Sequence, residues 1–272
     1  MSKIENLTAA IHNANIEVHQ IEARYYELIH AEIYSKYEQH RIDSMLKSIG
    51  RLITANQKRA LDFGAGTGNI TGKLLGMGYE VTAIDISAEM CQILKNKYKP
   101  YLNHEKLRII NSPIEDVSFD NDGFDLVTCY SILHHLPDYA YVIQRLSAYL
   151  KKGGVMYLDH EDSFLLDKSN IKEHAIKLIY SKSSYLLNKL YFKTNKTPLP
   201  HIDYHDYEQS DYWDSEKHHI DHKKIKNVFE IENFEFFIQI NYHLTRTWLL
   251  NPFFYMYRYL CKPDMCLWVA RK

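Results

Sequence analysis

Three histidines lie where the sequence predicts that strands end, and imidazole is the side chain best suited to moving a proton near neutral pH. His134 and His135 follow the apolar run 124–130, and His160 ends the run 154–160. A hydroxyl or ammonium group that acts as a nucleophile must lose a proton, and a nearby base speeds such a step about 10²–10⁴-fold. We therefore take His134 and His160 as candidate catalytic bases and His135 as a candidate substrate contact. The alternative for His134 and His135 is packing against the following helix.

A second chemical signal is the glycine-rich stretch LDFGAGTGN, which contains Gly64, Gly66 and Gly68. Glycine allows a tight turn and the close approach of a ligand to backbone N–H groups. Asn69 stands where the dinucleotide fingerprint has its third glycine, which disfavours a nicotinamide or flavin. Asp85 ends the next apolar run, where a carboxylate can accept hydrogen bonds from both hydroxyls of a ribose. The pair of signals predicts a cofactor that contains a nucleoside.

Short apolar runs alternate with amphipathic stretches from Lys58 onward, which predicts βαβ units and a parallel sheet. The predicted strands are 59–63, 80–85, 106–110, 124–130, 154–160, 234–242 and 264–272, and the predicted helices between them are 69–78, 87–99 and 139–154. Apolar residues at helical spacing over 15–50 predict one or two further helices. Helices and parallel strands in this order place the histidines, the glycines and Asp85 at one edge of the sheet.

The chain divides into three predicted parts. Residues 1–57 form an N-terminal helical lid, residues 58–159 and 229–272 form the core, and residues 160–228 form a helical cap inserted after the fifth strand. The cap departs from the regular alternation and is rich in histidine, tyrosine and charge. One domain with an insertion is therefore favoured over two independent domains.

Composition excludes several classes of protein. The chain has 272 residues, 46% of them hydrophobic, which is enough for one substantial core, and a formal net charge of −1 disfavours a polyanionic partner such as nucleic acid. Cys91, Cys129, Cys261 and Cys266 are spaced as reduced thiols rather than as a disulfide frame or zinc knuckle. No apolar stretch is long enough to span a bilayer or to act as a signal peptide. We expect a cytoplasmic protein, and nothing in the sequence indicates its oligomeric state.

Four segments together resemble the successive motifs of class I S-adenosylmethionine-dependent methyltransferases: LDFGAGTGNIT, VTAIDISAEM, FDLVTCYSILHHLPD and LKKGGVMYLD. The resemblance covers residues 58–160. It implies a Rossmann-like α/β fold with a seven-stranded, mostly parallel sheet whose last strand is antiparallel. It also implies S-adenosylmethionine as the cofactor. Nucleic acid is further disfavoured as the acceptor because the CYSILHHLPD segment lacks the Asn/Asp-Pro-Pro-Tyr motif of enzymes that methylate nucleic acid amines.

The resemblance also implies roles for individual residues. The three glycines would lie at the amino-acid part of the cofactor, Asp85 at its ribose, and Ile86 and Met90 at its adenine. Tyr130 would line the methyl channel, and a tyrosine of the N-terminal helices would reach the cofactor carboxylate. The predicted cofactor contacts are thus Tyr26, Asp62, Gly64, Gly66, Gly68, Asp85, Ile86, Met90, Ile114 and Tyr130.

The cap segment PHIDYHDYEQSDYWDSEKHHIDH offers two interpretations. Its aromatic rings supply stiff apolar surface with a polar end, so Tyr204, Tyr207, Tyr212 and Trp213 are predicted to line an acceptor pocket. Its histidines and carboxylates could instead hold zinc or iron. Because the segment shows no recognised ligand spacing, we predict no metal.

The leading hypothesis is methyl transfer to a small polar or aromatic metabolite, at oxygen or nitrogen. The first alternative is methylation of a larger saccharide, peptide or lipid-precursor acceptor that docks on the cap. The second alternative is a non-catalytic protein that binds S-adenosylmethionine and regulates a partner. Turnover of the cofactor in the presence of metabolites separates the enzyme hypotheses from the last one.

Overall fold

The computed structural model of the chain describes residues 3–54, 58–119, 123–163, 171–194, 210–211, 220–246 and 251–272. Seven strands of this part form a sheet in the order β3-β2-β1-β4-β5-β7-β6. They are β1 (Arg59–Phe63), β2 (Glu80–Asp85), β3 (Leu107–Asn111), β4 (Phe124–Tyr130), β5 (Leu150–Asp162), β6 (Phe236–Tyr242) and β7 (Met265–Arg271). β7 runs antiparallel to both of its neighbours, and the other pairs are parallel. The predicted seven-stranded, mostly parallel α/β fold is confirmed.

The described helices flank this sheet and precede it. They are α1 (Lys3–Glu22), α2 (Tyr26–Ile29), α3 (Ala31–Tyr34), α4 (Lys36–Leu52), α5 (Asn69–Gly76), α6 (Ala88–Lys97), α7 (Lys99–Asn103), α8 (Tyr139–Ala148), α9 (Ile171–Thr194), α10 (His222–Ile231) and α11 (Phe254–Leu260). Capping side chains determine where α6 and α8 begin. The Ser87 hydroxyl accepts the Met90 N–H at 3.3 Å, and the Asp138 carboxylate accepts the Tyr141 N–H at 3.1 Å. In place of one or two N-terminal helices, the structure has the four from α1 to α4.

Apolar layers on both faces of the sheet hold it together. One layer joins α8 and α10 to the strands through residues such as Ile143, Leu146 and Phe229, and the other joins α4 and α5 through residues such as Leu46 and Leu74. All seven residues of β4 are buried, as expected for a central parallel strand that is covered on both sides. The carboxyl ends of the strands are therefore held rigidly by the core.

Three predicted boundaries differ from the structure: the end of one helix and both ends of the cap. The helix predicted over 139–154 ends at Ala148, because Leu150 already pairs with Phe124 as the first residue of β5. Both ends of the predicted cap, 160–228, lie in core elements. β5 continues to Asp162, where it pairs with Met265, and α10 packs its apolar side against α8. The rest of the division into lid, core and cap stays a prediction.

No helix in the described part of the chain combines the length and the apolar character needed to cross a bilayer.

Candidate active site

The turn between β1 and α5 is built from glycines in the left-handed region of backbone conformation. Gly64, Gly66 and Gly68 have φ values of 70°, 52° and 91°. A Cβ on Gly64 would lie 2.6 Å from the Ile132 side chain, and one on Gly68 would lie 2.7 Å from the Tyr98 ring. A Cβ on Gly66 would meet no atom within 4 Å. Gly64 and Gly68 are thus required by packing, whereas Gly66 keeps a space open beside the turn.

Asp85 ties this turn to the end of β2. Its carboxylate accepts the Gly66 N–H at 2.7 Å and the Ser87 N–H at 2.9 Å. Burial raises the pKa of Asp85, and these hydrogen bonds oppose that rise. The carboxylate is thereby fixed at the opening of the turn.

A pocket, which we call the glycine pocket, opens at this edge of the sheet. Its walls come from the N-terminal helices and from the loops after β1, β2, β3 and β4. It is lined by His12, Asn15, His19, Tyr26, Phe63, Gly64, Gly66, Asp85, Ile86, Ser112, Pro113, Ile114, Glu115, Tyr130, Ser131, Ile132, His135 and Leu136. A carboxylate for ribose, an apolar wall for a purine and an open glycine turn fit S-adenosylmethionine.

Seven of the ten predicted cofactor contacts line the glycine pocket, and three do not. The three are Asp62, Gly68 and Met90, which lie behind its wall. Asp62 is buried, and its carboxylate accepts hydrogen bonds from the hydroxyls of Thr71 at 2.5 Å and Thr128 at 2.8 Å. Burial raises the pKa of Asp62 to about 6. In the structure Asp62 joins β1 to α5 and β4 through these two threonines, and Met90 is buried near the start of α6.

A second cavity of about 250 Å³ adjoins the glycine pocket, and we call it the histidine cavity. It is lined by Val18, His19, Glu22, Tyr26, His30, Glu32, Ile33, Ser131, His134, His135, His160, Asp162, Ser210, Asp211, Ile220, Leu244, Arg246 and Met265. His19, Tyr26, Ser131 and His135 line both spaces. Molecules in the two spaces would therefore touch the same side chains.

His134 is paired with a buried carboxylate at the end of β5. Its Nδ1 lies 2.9 Å from Glu161 Oε2, while Glu161 Oε1 accepts the N–H groups of Ile132 and Leu133 at 3.0 and 2.8 Å. The Glu161 side chain is fully shielded from solvent. Because a carboxylate accepts hydrogen bonds, His134 carries a proton on Nδ1, and its Nε2 holds the lone pair when the ring is neutral.

His160 is oriented by a phenol at hydrogen-bond distance and has a carboxylate beside it, since its Nδ1 lies 3.6 Å from Glu38 Oε1. The Tyr130 hydroxyl donates its single proton to Glu38 Oε1 at 2.9 Å, and His160 Nδ1 lies 3.0 Å from the same hydroxyl. His160 must then donate from Nδ1, which leaves the lone pair on Nε2. Both His160 and Ser131 have positive φ values, 66° and 55°. Such backbone conformations are costly for residues with a side chain and are typical of functional sites.

Beneath these residues lies a buried cluster of charges that sequence analysis missed. Arg41 donates to both Glu38 and Asp159, and the guanidinium lies 3.9 Å from the centre of the Tyr242 ring. Although burial opposes its charge, hydrogen bonds from Arg41 and His160 lower the pKa of Glu38 to about 2. The cluster fixes α4 to the end of β5, directly under His160.

His135 is a buried, neutral ring between the two spaces. Its Nδ1 lies 2.9 Å from the Ser210 carbonyl oxygen and 3.3 Å from Asp211 Oδ1. Burial lowers the pKa of His135 well below its usual value, and the neighbouring His134 and His19 lower it further. His134, His135 and Asp211 also offer potential ligand atoms within 4.8 Å of one another. The prediction that the protein holds no metal therefore stays a prediction.

The N-terminal helices close the site with a charged histidine. His30 lies 3.3 Å from Glu22 and 3.4 Å from Glu32. Burial opposes the charge on the ring, but the hydrogen bonds to both carboxylates raise the pKa of His30 to about 10. The Tyr26 ring packs against the His30 ring, with centroids 4.3 Å apart and planes tilted by 43°. Two carboxylates and a cation thus hold the helices against the histidine cavity.

The predicted acceptor contacts Tyr204, Tyr207, Tyr212 and Trp213 lie outside the described residues. The contact from Asn15 of α1 was missed because its segment carries no motif. Glu161 was missed although it follows His160 directly in the sequence. Its pairing with His134 arises because β4 and β5 are parallel neighbours, so their ends meet.

Comparison with known proteins agrees with this geometry. Residues 61–158 match the family described as Methyltransferase domain. The ubiquinone biosynthesis O-methyltransferase of Coxiella burnetii is 32% identical over 115 residues, which is 41% of this chain and 47% of that protein. The protein of the same name from Xanthomonas campestris is 32% identical over 101 residues, 37% of this chain and 41% of that protein. The chain spans about half the length of the curated relatives it matches.

Solved structures show the same fold. A SAM-dependent methyltransferase from Archaeoglobus fulgidus superposes with a TM-score of 0.55 at 14% identity, covering 91% of this chain and all of that one. A phosphoethanolamine N-methyltransferase of Haemonchus contortus in complex with S-adenosyl-L-methionine gives a TM-score of 0.51 at 13% identity. The superposition covers 84% of this chain and 52% of that one. Residues 61–158 thus match a methyltransferase domain, and the seven-stranded sheet has the fold of these solved methyltransferases.

Proposed function

We propose that this protein transfers a methyl group from S-adenosylmethionine to an oxygen or nitrogen of a small polar or aromatic metabolite. The main support for the proposal is that the glycine pocket and the histidine cavity share part of their walls. A cofactor in the first space and an acceptor in the second would meet at Tyr26, Ser131 and His135. The histidine cavity is then the acceptor site.

S-adenosylmethionine supplies a methyl group on a positively charged sulfur, which already makes a good leaving group. The chain contributes alignment of the reacting atoms in a site shielded from water, worth up to roughly 7–11 kcal/mol. Asp85 would hold the ribose, and the open turn at Gly66 would admit the amino-acid part. Ile86 and Ile114 would border the adenine.

His134 is the stronger candidate for the base. Its Nδ1 donates to an ionisable, fully shielded carboxylate, which would stabilise the imidazolium that forms when Nε2 takes a proton from the acceptor. His160 donates to the neutral Tyr130 hydroxyl, and the Glu38 carboxylate, 3.6 Å from the same Nδ1, is already paired with Arg41. We therefore assign proton removal to His134, with Glu161 as its positioning residue, and place His160 second.

Oxygen or nitrogen remains open as the methylated atom. The partial relatives are named O-methyltransferases, and one structure with the same fold is named an N-methyltransferase. The first alternative function is methylation of a larger saccharide, peptide or lipid-precursor acceptor. The second is a non-catalytic protein that binds S-adenosylmethionine and regulates a partner. The predictions that nucleic acid is no partner and that the protein is cytoplasmic stay predictions.

The experiment is incubation with S-adenosylmethionine and a cell extract divided into small molecules, lipids and macromolecules. The proposal expects S-adenosylhomocysteine to form with the small-molecule fraction. Formation with the lipid or macromolecule fraction alone would support the larger acceptor. Tight cofactor binding without turnover in any fraction would contradict enzymatic function.

A further inference from the structure

Helix α9 exposes large apolar side chains along one side. The exposed fractions are 47% for Leu178, 46% for Ile179, 64% for Tyr185, 58% for Leu186 and 59% for Leu190. With Lys182 and Lys189 these residues recur at intervals of three and four, so they share one side of the helix. We call these seven residues the α9 face. A contiguous apolar patch of this kind marks an interaction surface.

The opposite side of α9 is packed, which fixes the direction of the face. Tyr180 is fully buried, and its ring stacks on Tyr257 of α11 with centroids 4.5 Å apart and planes at 10°. The Asn251 side-chain amide donates to the Ser184 hydroxyl at 2.9 Å. The exposed leucines are therefore the outer side of a helix whose inner side already has its partners.

The surroundings of the α9 face are basic. Lys182 and Lys189 lie among its apolar residues, and Lys189 Nζ is 5.8 Å from the Tyr185 ring centre. Residues 174–190 contain lysine at positions 177, 182 and 189 and no aspartate or glutamate. The chain as a whole carries a formal charge of −1. Positive charge is thus concentrated in the segment that exposes apolar side chains.

We propose that the α9 face docks the protein on the surface of an anionic lipid bilayer. Apolar residues on one helix side with interleaved lysines match the chemistry of that surface, since the apolar groups enter the acyl boundary and the lysines remain at the headgroups. A second copy of the chain is less favourable as the occupant, because two basic faces repel each other. The protein would bind such a membrane without crossing it.

Docking would bring the histidine cavity close to the membrane. The Tyr180 hydroxyl donates to the Leu244 carbonyl at 2.9 Å and accepts the Arg246 N–H at 2.8 Å. Leu244 and Arg246 line that cavity. The inner side of α9 therefore contacts the cavity wall, and the α9 face lies on the outer side of the same helix. The inference rests on α9 alone and does not depend on the proposed acceptor.

The test is sedimentation of the full chain with vesicles of phosphatidylglycerol or phosphatidylcholine. We expect binding to the anionic vesicles that weakens with salt. The double variant Leu186→Glu/Leu190→Glu should lower the apparent affinity by about tenfold or more. Lys182→Glu/Lys189→Glu should lower it as well. Ile231→Glu, at a residue that is 68% exposed at the end of α10, is the matched control and should bind as wild type does.

S-adenosylmethionine affinity is measured on the same preparations. Unchanged affinity in the α9 variants shows that they are folded, and it separates this inference from the proposed catalysis. Wild-type protein that stays in the supernatant, or variants that sediment equally, would overturn the proposal. A dimer that Leu186→Glu dissociates, with no vesicle binding by wild type, would assign the face to a second copy instead.

Discussion

His134 Nδ1 lies 2.9 Å from the Oε2 atom of Glu161, a carboxylate that is shielded from solvent and already accepts two backbone N–H groups. The arrangement fixes which nitrogen of His134 carries a proton. It also places the compensating charge where an imidazolium would form. The proposed chemistry depends on this pair more than on any other contact.

Glu161→Gln should lower kcat by about 10²–10⁴-fold with little change in cofactor affinity. The glutamine amide would donate to Nδ1, so the ring proton would move to Nε2 and block its use as a base. Steady-state rates as a function of pH, with the acceptor identified by fractionation, measure the effect. The limb of the profile that rises with pH should disappear in Glu161→Gln. Glu232→Gln, a carboxylate bound to Ser147 away from the site, is the control. A wild-type rate in Glu161→Gln would transfer the role of base to His160.

Asp85→Ala should weaken S-adenosylmethionine binding by about 1.5–3 kcal/mol through loss of the charge-assisted hydrogen bonds to ribose. Calorimetry on the folded variant measures the change, and wild type should show no affinity for NAD. Glu80→Ala removes a carboxylate at the other end of β2, where it pairs with Lys106, and should bind as wild type does. Equal affinity of Asp85→Ala and wild type would rule out the ribose assignment.

Gly66→Ala tests whether the space beside the glycine turn belongs to the cofactor. A Cβ there meets no protein atom within 4 Å, so the destabilisation comes from the positive φ and is about 1–2 kcal/mol. The loss of cofactor affinity should exceed this loss of stability. Chemical denaturation and calorimetry on one preparation compare the two. Gly76→Ala is the control, because a Cβ there also meets nothing within 4 Å. It should lower neither the stability nor the cofactor affinity. A destabilised Gly66→Ala with wild-type affinity would contradict the assignment.

His30→Gln should destabilise the N-terminal helices by about 3 kcal/mol near neutral pH, because Glu22 and Glu32 lose their buried cation. The folded-state pKa of His30 is raised to about 10, above its ordinary 6.5. This stabilisation is therefore complete below about pH 6.5 and is lost as the pH rises through 10. Urea unfolding of both proteins at pH 6.5 and above pH 10 should give a difference that shrinks at the higher pH. His40→Gln, at an exposed position of α4, is the control. A difference independent of pH would mean that His30 is not charged in the folded protein.

Sequence patterns located the residues of the glycine pocket more completely than the contacts between distant elements. Gly64, Gly66 and Asp85 lie in contiguous strand-turn-helix units, where local spacing determines position. The contact between Arg41 and Asp159 joins elements 118 residues apart, and the packing of α4 against β5 creates it. The hydrogen bonds of Asp62 could not be predicted for a related reason, since Thr71 and Thr128 converge on it only when β1 and β4 pair.

The most direct measurement of the central claim is the mass of the product formed from S-adenosylmethionine and the small-molecule fraction. We predict that wild-type protein yields a metabolite heavier by one methyl group together with S-adenosylhomocysteine, and that Asp85→Ala yields less of both at the same cofactor concentration. Wild-type protein that binds S-adenosylmethionine but produces no methylated molecule from any extract would contradict the account.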